Sequence, residues 1–134
     1  MQYIASFFGA GAAFLVLDLL WLGVVAQRHY QSQMGSLLAD QFNIPAAAAF
    51  YAIYLTGVVI FAIAPALAGG SIVQAAWRGA LFGFFCYATY DLTALAVIRD
   101  FPQRLAIVDI VWGTVLTGSA AAAGYGAAKL AAGN

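Results

Sequence analysis

The sequence predicts an all-α integral membrane protein, with four transmembrane helices in a compact bundle. Three observations predict it. Of 134 residues, 65% are hydrophobic and only 7% charged, too few charges to coat a water-soluble domain of this length. Hydropathy divides the chain into four apolar segments, near residues 4–26, 46–67, 77–98 and 105–128. Each reaches the roughly 20 residues that a helix needs to cross the hydrocarbon core. No period-two alternation recurs in enough segments for a barrel, and helices satisfy their own backbone groups in lipid. Residues 1–134 therefore read as a single four-helix transmembrane domain.

The first segment opens MQYIASFFGAGAAF, without the positive region of a cleaved signal peptide. Its apolar run is also too long for a signal core, so a retained helix is expected. The connection Gln27 to Ile44 sets Leu37, Leu38 and Phe42 among polar residues, and a short helix lying at the interface is expected there. Pro45 suits the first turn of the second helix, where its missing N–H costs nothing. Pro65, followed by Gly69 and Gly70, is expected to end or kink that helix. The third helix carries the single cysteine, Cys86, which has no internal disulfide partner and reads as a buried, inert thiol. Arg99-Asp100-Phe101-Pro102 predicts a tight polar hairpin before the fourth helix. There Gly113, Thr117 and Ala121 recur every four positions, the spacing of a face that packs closely on a neighbour.

An even number of spans puts both ends of the chain on one side. The loops after helices one and three carry Arg28, Arg99 and Arg104, against Arg78 and Lys129 on the terminal side. Three against two places the two hairpins in the cytoplasm. Trp77 and Lys129 suit interfacial anchoring. His29, the only histidine, stands beside Arg28 and reads as a surface group.

Three aspartates, Asp18, Asp91 and Asp109, fall inside the spans with no Lys or Arg beside them there. Carboxylates at membrane depth are costly and mark a site, a proton path or a helix-pairing contact. Helix rise from Arg28, Arg99 and Arg104 puts them roughly 15, 12 and 8 Å below one surface, with Tyr51 and Tyr54 roughly 9 and 14 Å in. Asp18 shares a stripe with Trp21, Asp91 with Tyr87, and Asp109 with Trp112, while Tyr90 and Thr93 flank Asp91. Tyr hydroxyls and indole N–H groups can donate to a buried carboxylate. Without a fixed cation, close carboxylates repel, so at least one is expected to hold a proton at neutral pH unless a cation or ligand carries the charge. Asp18, Asp91 and Asp109 are thus expected to bind a proton, cation or ligand. Tyr51, Tyr54, Tyr87, Tyr90 and Thr93 supply hydrogen bonds, and Trp21 and Trp112 form apolar walls. The same groups could instead only tie helices together, with the acids kept neutral.

Asp18-Leu19-Leu20-Trp21-Leu22-Gly23-Val24 echoes Asp91-Leu92-Thr93-Ala94-Leu95-Ala96-Val97, and Asp18/Trp21 echoes Asp109/Trp112, which would suit a duplicated helical hairpin. Zero net charge gives no basic footprint for nucleic acid. Without a His or Cys cluster, a dedicated zinc or copper site is not expected. No phosphate-cradling Gly motif, Ser-His arrangement or cofactor fingerprint is present, so no cofactor is specified.

The motifs LDLLWLG (17–23), RHYQSQMG (28–35), FYAIYLTG (50–57), RGALFG (78–83), YATYDLT (87–93) and VDIVWGTVLTG (108–118) resemble one family, DUF2177, a domain of unknown function in small bacterial membrane proteins. The resemblance covers nearly the whole chain, and YATYDLT and DIVWG are its specific parts. It implies a four-helix membrane fold in the bacterial inner membrane and no assigned activity. The family pattern continues YDLT with Asn, where this chain has Ala94, so one polar contact would be missing here.

Three functions fit these residues, and whether the protein is an enzyme stays open. The leading one is an intramembrane acidic–aromatic pocket that binds a small or lipid-like ligand, with proton-coupled transport as an extension. Four short helices enclose little space, so a transport path would need a homodimer. The second is an enzyme acting on membrane lipids, a close Asp pair serving as general acid and base. The third is a non-catalytic subunit of a larger membrane complex.

Overall fold

The structure, a computed structural model, describes residues 1–21 and 43–133. It is built from helices α1 (Gln2–Leu20), α2 (Ile44–Leu67), α3 (Ile72–Val97) and α4 (Gln103–Ala131). All four are long and apolar enough to cross a membrane, and no strand occurs among the described residues. The interfacial helix expected in the first connection, and residues 22–26 of the first span, lie outside the described residues.

Local chemistry sets the boundaries. Asn43 caps α2, its side-chain oxygen accepting the Ala46 N–H at 3.1 Å, and Pro45 occupies the first turn as expected. Ser71 caps α3 by accepting the Gln74 N–H at 3.3 Å. That cap lets the helix start at Ile72 rather than near Trp77, bringing polar Gln74 into a span drawn from hydropathy alone. Between α3 and α4, Asp100 takes a left-handed φ of 60° and the Phe101 N–H reaches the Ile98 carbonyl at 3.3 Å. The turn is less polar than its sequence suggests, because Phe101 is buried against Ala94 and Ala106.

Pro65 does not end α2. Proline cannot donate to the carbonyl four residues back and crowds it. The chain accommodates this with a π-helical turn at Val59–Ile63, in which the Ala64 N–H bonds the Val59 carbonyl. The helix then runs on to Leu67 and stops before Gly69, whose φ of +128° an L side chain rarely adopts.

Helix α4 is the centre of the bundle, lying along α3 on one side and α1 on the other. Lipid tails are as apolar as leucine, so close packing rather than water exclusion must hold these pairs. Small residues make it possible. A Cβ on Gly79 would lie 2.8 Å from the Thr117 carbonyl, and one on Gly83 would lie 2.6 Å from the Thr117 side chain. The expected small-residue face of α4 is therefore real, and its complement is the Gly79/Gly83 pair of α3. On the other side, a Cβ on Gly124 would lie 2.8 Å from the Ser6 carbonyl and 2.6 Å from Ile63. Helix α2 meets α3 chiefly through the π turn. On the Asn43 side of that contact a lateral cleft opens between them.

Candidate functional site

The direction of the helices brings one end of each to the same region. α1 and α3 finish there, and α2 and α4 begin there. Asp18 and Asp91 stand near the two finishing ends, and Tyr51 and Asp109 near the two starting ends, so the polar residues gather in one layer.

The first half of the layer is built on Asp18. Tyr51 donates to its Oδ2 at 3.1 Å, and Trp112 Nε1 donates to its Oδ1 at 3.4 Å. Helices α1, α2 and α4 are thereby joined at one carboxyl. Trp112 also stacks on Trp21, with ring centroids 4.5 Å apart and planes 9° from parallel. The two Asp-x-x-Trp segments thus meet crosswise, the tryptophan of one bonding the aspartate of the other. Phe14 sets its ring edgewise against Tyr51, with centroids 5.4 Å apart, and fixes the hydroxyl's direction. The Trp21 indole N–H is buried with no hydrogen-bond partner.

The second half is the pair Asp91 and Asp109. Asp91 is the most enclosed ionisable group of the layer, 1% exposed, and its carboxyl lies within electrostatic range of that of Asp109. Two ionised carboxylates close together repel each other. Oδ2 of Asp91 is buried without a hydrogen-bond partner. A polar atom buried in that state calls for an explanation, such as an unplaced water, an ion or a catalytic role. Asp18 lies within electrostatic range of Asp109, so the two halves form one charged system.

Tyr87 stands between them. Its ring covers Gly113, where a Cβ would collide with it, and its hydroxyl lies within electrostatic range of Asp18, Asp109, Tyr51 and Tyr54. Tyr54 takes a different partner from the expected carboxylate. Its hydroxyl pairs with Thr117 Oγ1 at 2.7 Å, in a buried contact two turns further along α4 than Asp109. Tyr90 is 62% exposed and lies near both Asp91 and Asp109. Thr93 lies on the exposed side of α3. Two residues turn a helix about 200°, so Thr93 points away from buried Asp91 and takes no part in the layer.

The cleft between α2 and α3 gives the layer access to the outside. It has a volume of about 460 Å³ and is lined by Phe50, Tyr54, Cys86, Tyr87, Tyr90 and Asp109. Phe50 and Tyr54 form one wall, their rings 5.3 Å apart. Cys86, Tyr87 and Tyr90 form the other, and Asp109 brings a carboxyl from α4. Phe50 and Cys86 were not placed in the site from sequence. Their signal was the four-residue spacing to Tyr54 and Tyr90, which puts each pair on one stripe. Cys86 is half-buried at the cleft rather than sealed in the core. Ala94, where the family pattern has Asn, is buried one turn beyond Asp91 and packs with Phe101 and Ala106. An amide there would stand one turn from the carboxyl pair.

No curated protein and no solved structure matches the chain. The four spans, the YATYDLT and DIVWG segments and the layer they form agree with a family-model match over residues 3–126, to the family described as "Predicted membrane protein (DUF2177)", and the chain belongs to that family.

Proposed function

We propose that the protein binds a small or lipid-like ligand in the α2–α3 cleft and couples its binding to a proton held between Asp91 and Asp109. One observation carries this reading. A carboxyl at 1% exposure, with one oxygen lacking any donor, stands within electrostatic range of a second carboxyl that lines an aromatic cleft of about 460 Å³. Helix pairing alone would be served by the Asp18–Tyr51–Trp112 arrangement, where donors answer the acceptor. It does not account for two acids placed against each other, nor for a cleft that leads to one of them. The cleft size falls within the 300–1,000 Å³ usual for small-molecule sites. A ligand arriving at Asp109 would redistribute the shared proton, which is the elementary step that proton-coupled transport requires. Carrying the ligand across the membrane would call for a second copy of the chain to complete the path.

Native mass spectrometry of the protein released from lipid nanodiscs tests the reading. Wild-type protein is expected to retain a non-covalent mass that Asp109→Asn loses. A wild-type protein released bare, or equal retention by Asp109→Asn, would remove the ligand from the account.

A further inference from the structure

We infer that Arg78 binds the phosphate of an anionic phospholipid whose acyl chain lies in the groove beside it. The site stands at the Ile72 end of α3, about 20 Å by helix rise from Asp91, and is separate from the ligand site proposed above. An arginine inside a span is costly and pairs with an anion or a carbonyl. Arg78 falls inside the third span, half-buried, and its Nε is buried with no hydrogen-bond partner among the described residues. The guanidinium lies over the Trp77 ring, 5.2 Å from its centroid, a contact that holds the group but offers no oxygen to its N–H donors. The side-chain carboxylates among the described residues, Asp18, Asp91, Asp100 and Asp109, all belong to the other end of the bundle. The described residues leave off at Trp21 and resume at Asn43, both also at that far end. A phosphate diester supplies the missing acceptor, since its two free oxygens match the guanidinium fork and take charge-assisted bonds.

The level of Arg78 selects a bilayer phosphate. Helix α3 has 26 residues, roughly 39 Å of helix against a hydrocarbon core of about 30 Å, so a centred helix overhangs each side by about 4 Å. Arg78 comes six residues after Ile72, roughly 9 Å along the helix, which sets its Cα about 5 Å inside the core boundary. Helical side chains tilt toward the N-terminus, here the near surface, and arginine stems run along apolar surface to bring the charge to water. The guanidinium thereby rises toward the lipid phosphates. Trp77 beside it is a residue type enriched at that same interface.

The groove beside Arg78 suits a chain. It has a volume of about 320 Å³, lined among the described residues by Phe61, Trp77, Arg78, Leu81 and Phe82. Phe61, on the π turn of α2, stacks on Phe82 of α3, with centroids 5.8 Å apart and planes 20° from parallel. Phe61 is 60% exposed and Leu81 46%, on helices that lie in the membrane, so this wall faces lipid tails rather than water. Head-group charge then narrows the class. The ammonium of a choline or ethanolamine lipid would set a second cation beside Arg78, and no described carboxylate stands at this end to receive it. A head group without an ammonium, as in phosphatidylglycerol, leaves the guanidinium and the phosphate to pair alone.

The test releases the full-length chain from nanodiscs of equal phosphatidylglycerol and phosphatidylcholine and reads the retained lipid by native mass spectrometry. Phosphatidylglycerol should be retained in preference to phosphatidylcholine. Arg78→Gln should lower that retention about tenfold, the scale of one lost charge-assisted contact. Phe61→Ala removes an exposed ring, so it leaves the core intact if Arg78→Gln misfolds, and it should lower retention severalfold. Lys129→Gln, which removes a cation from the last turn of α4 at the same end, should retain the lipid as wild type does. Excess inorganic phosphate should leave the lipid bound. Equal retention of the two lipids, or wild-type retention by Arg78→Gln or Phe61→Ala, would overturn the site. An equal loss in Lys129→Gln would reduce the preference to general surface charge and overturn it as well. Displacement by inorganic phosphate would assign the guanidinium to a soluble anion and overturn the lipid.

Discussion

Gly83→Leu is expected to unseat α3 from α4 and destabilise the protein by about 3 kcal/mol or more, at the upper end of what overpacking costs. Gly83 has no space for a side chain. Even a single Cβ would lie 2.6 Å from both the Cβ and the Oγ1 of Thr117, and would also press on the Gly113 carbonyl. Backbone cannot move aside as a flexible side chain can, so the helices must separate. The effect should reach the site, because Gly83 precedes Tyr87 and Asp91 on the same stripe of α3, and Gly113 and Thr117 follow Asp109 on α4. Unfolding in mixed micelles by increasing dodecyl sulfate would measure the loss. Gly126→Ala is the matched control, since a Cβ there meets nothing within 4 Å. It should be neutral or slightly stabilising, as alanine is favoured over glycine in helices by about 0.5–1 kcal/mol. A Gly83→Leu protein that unfolds like wild type would show that small-residue packing does not hold this pair.

Asp91→Asn is expected to leave the fold in place and lower ligand retention about tenfold or more, a loss of about 1.4 kcal/mol in binding. Asparagine keeps the size of the side chain and can still bond Asp109 through its amide. If the carboxyl pair only fastened α3 to α4, the substitution would be nearly silent, because interhelical hydrogen bonds in membranes contribute about 0.6 kcal/mol on average. What asparagine cannot do is give up or take a proton. Loss of retention at wild-type stability therefore separates a proton site from a tie between helices. Native mass spectrometry gives the first quantity and dodecyl sulfate unfolding the second. Wild-type retention by Asp91→Asn would confine the pair to scaffolding.

The four spans were legible because twenty-residue apolar runs have few other uses, and the hairpins because Arg-Asp-Phe-Pro and Gly-Gly interrupt them. The gathering of acids into one layer followed from counting helix rise from three arginines. Angular detail was less accessible. Thr93 and Asp91 are two residues apart and point to opposite sides, and sequence adjacency concealed that. Tyr54 and Tyr51 share a helix face, yet a nearer hydroxyl on Thr117 captures Tyr54 while Tyr51 reaches Asp18. A stripe shows which way a side chain leans, but the partner across the bundle decides what it bonds. The cleft itself was invisible, since it arises where α2 diverges from α3 beyond a π turn. Pro65 signalled a kink, but nothing in its sequence neighbourhood says on which side the helices part. Cys86 reads as core in one dimension because its neighbours are apolar, and only the divergence of α2 brings it to the cleft.

Infrared difference spectroscopy of the lipid-embedded protein at neutral pH tests the central claim most directly. A proton shared by Asp91 and Asp109 would leave a protonated carboxyl, whose C=O stretch is distinct from that of a carboxylate. The account predicts a carboxylic-acid band in the wild type that disappears in both Asp91→Asn and Asp109→Asn and persists in Asp18→Asn. A spectrum without that band, or a band removed only by Asp18→Asn, would contradict a proton shared between Asp91 and Asp109.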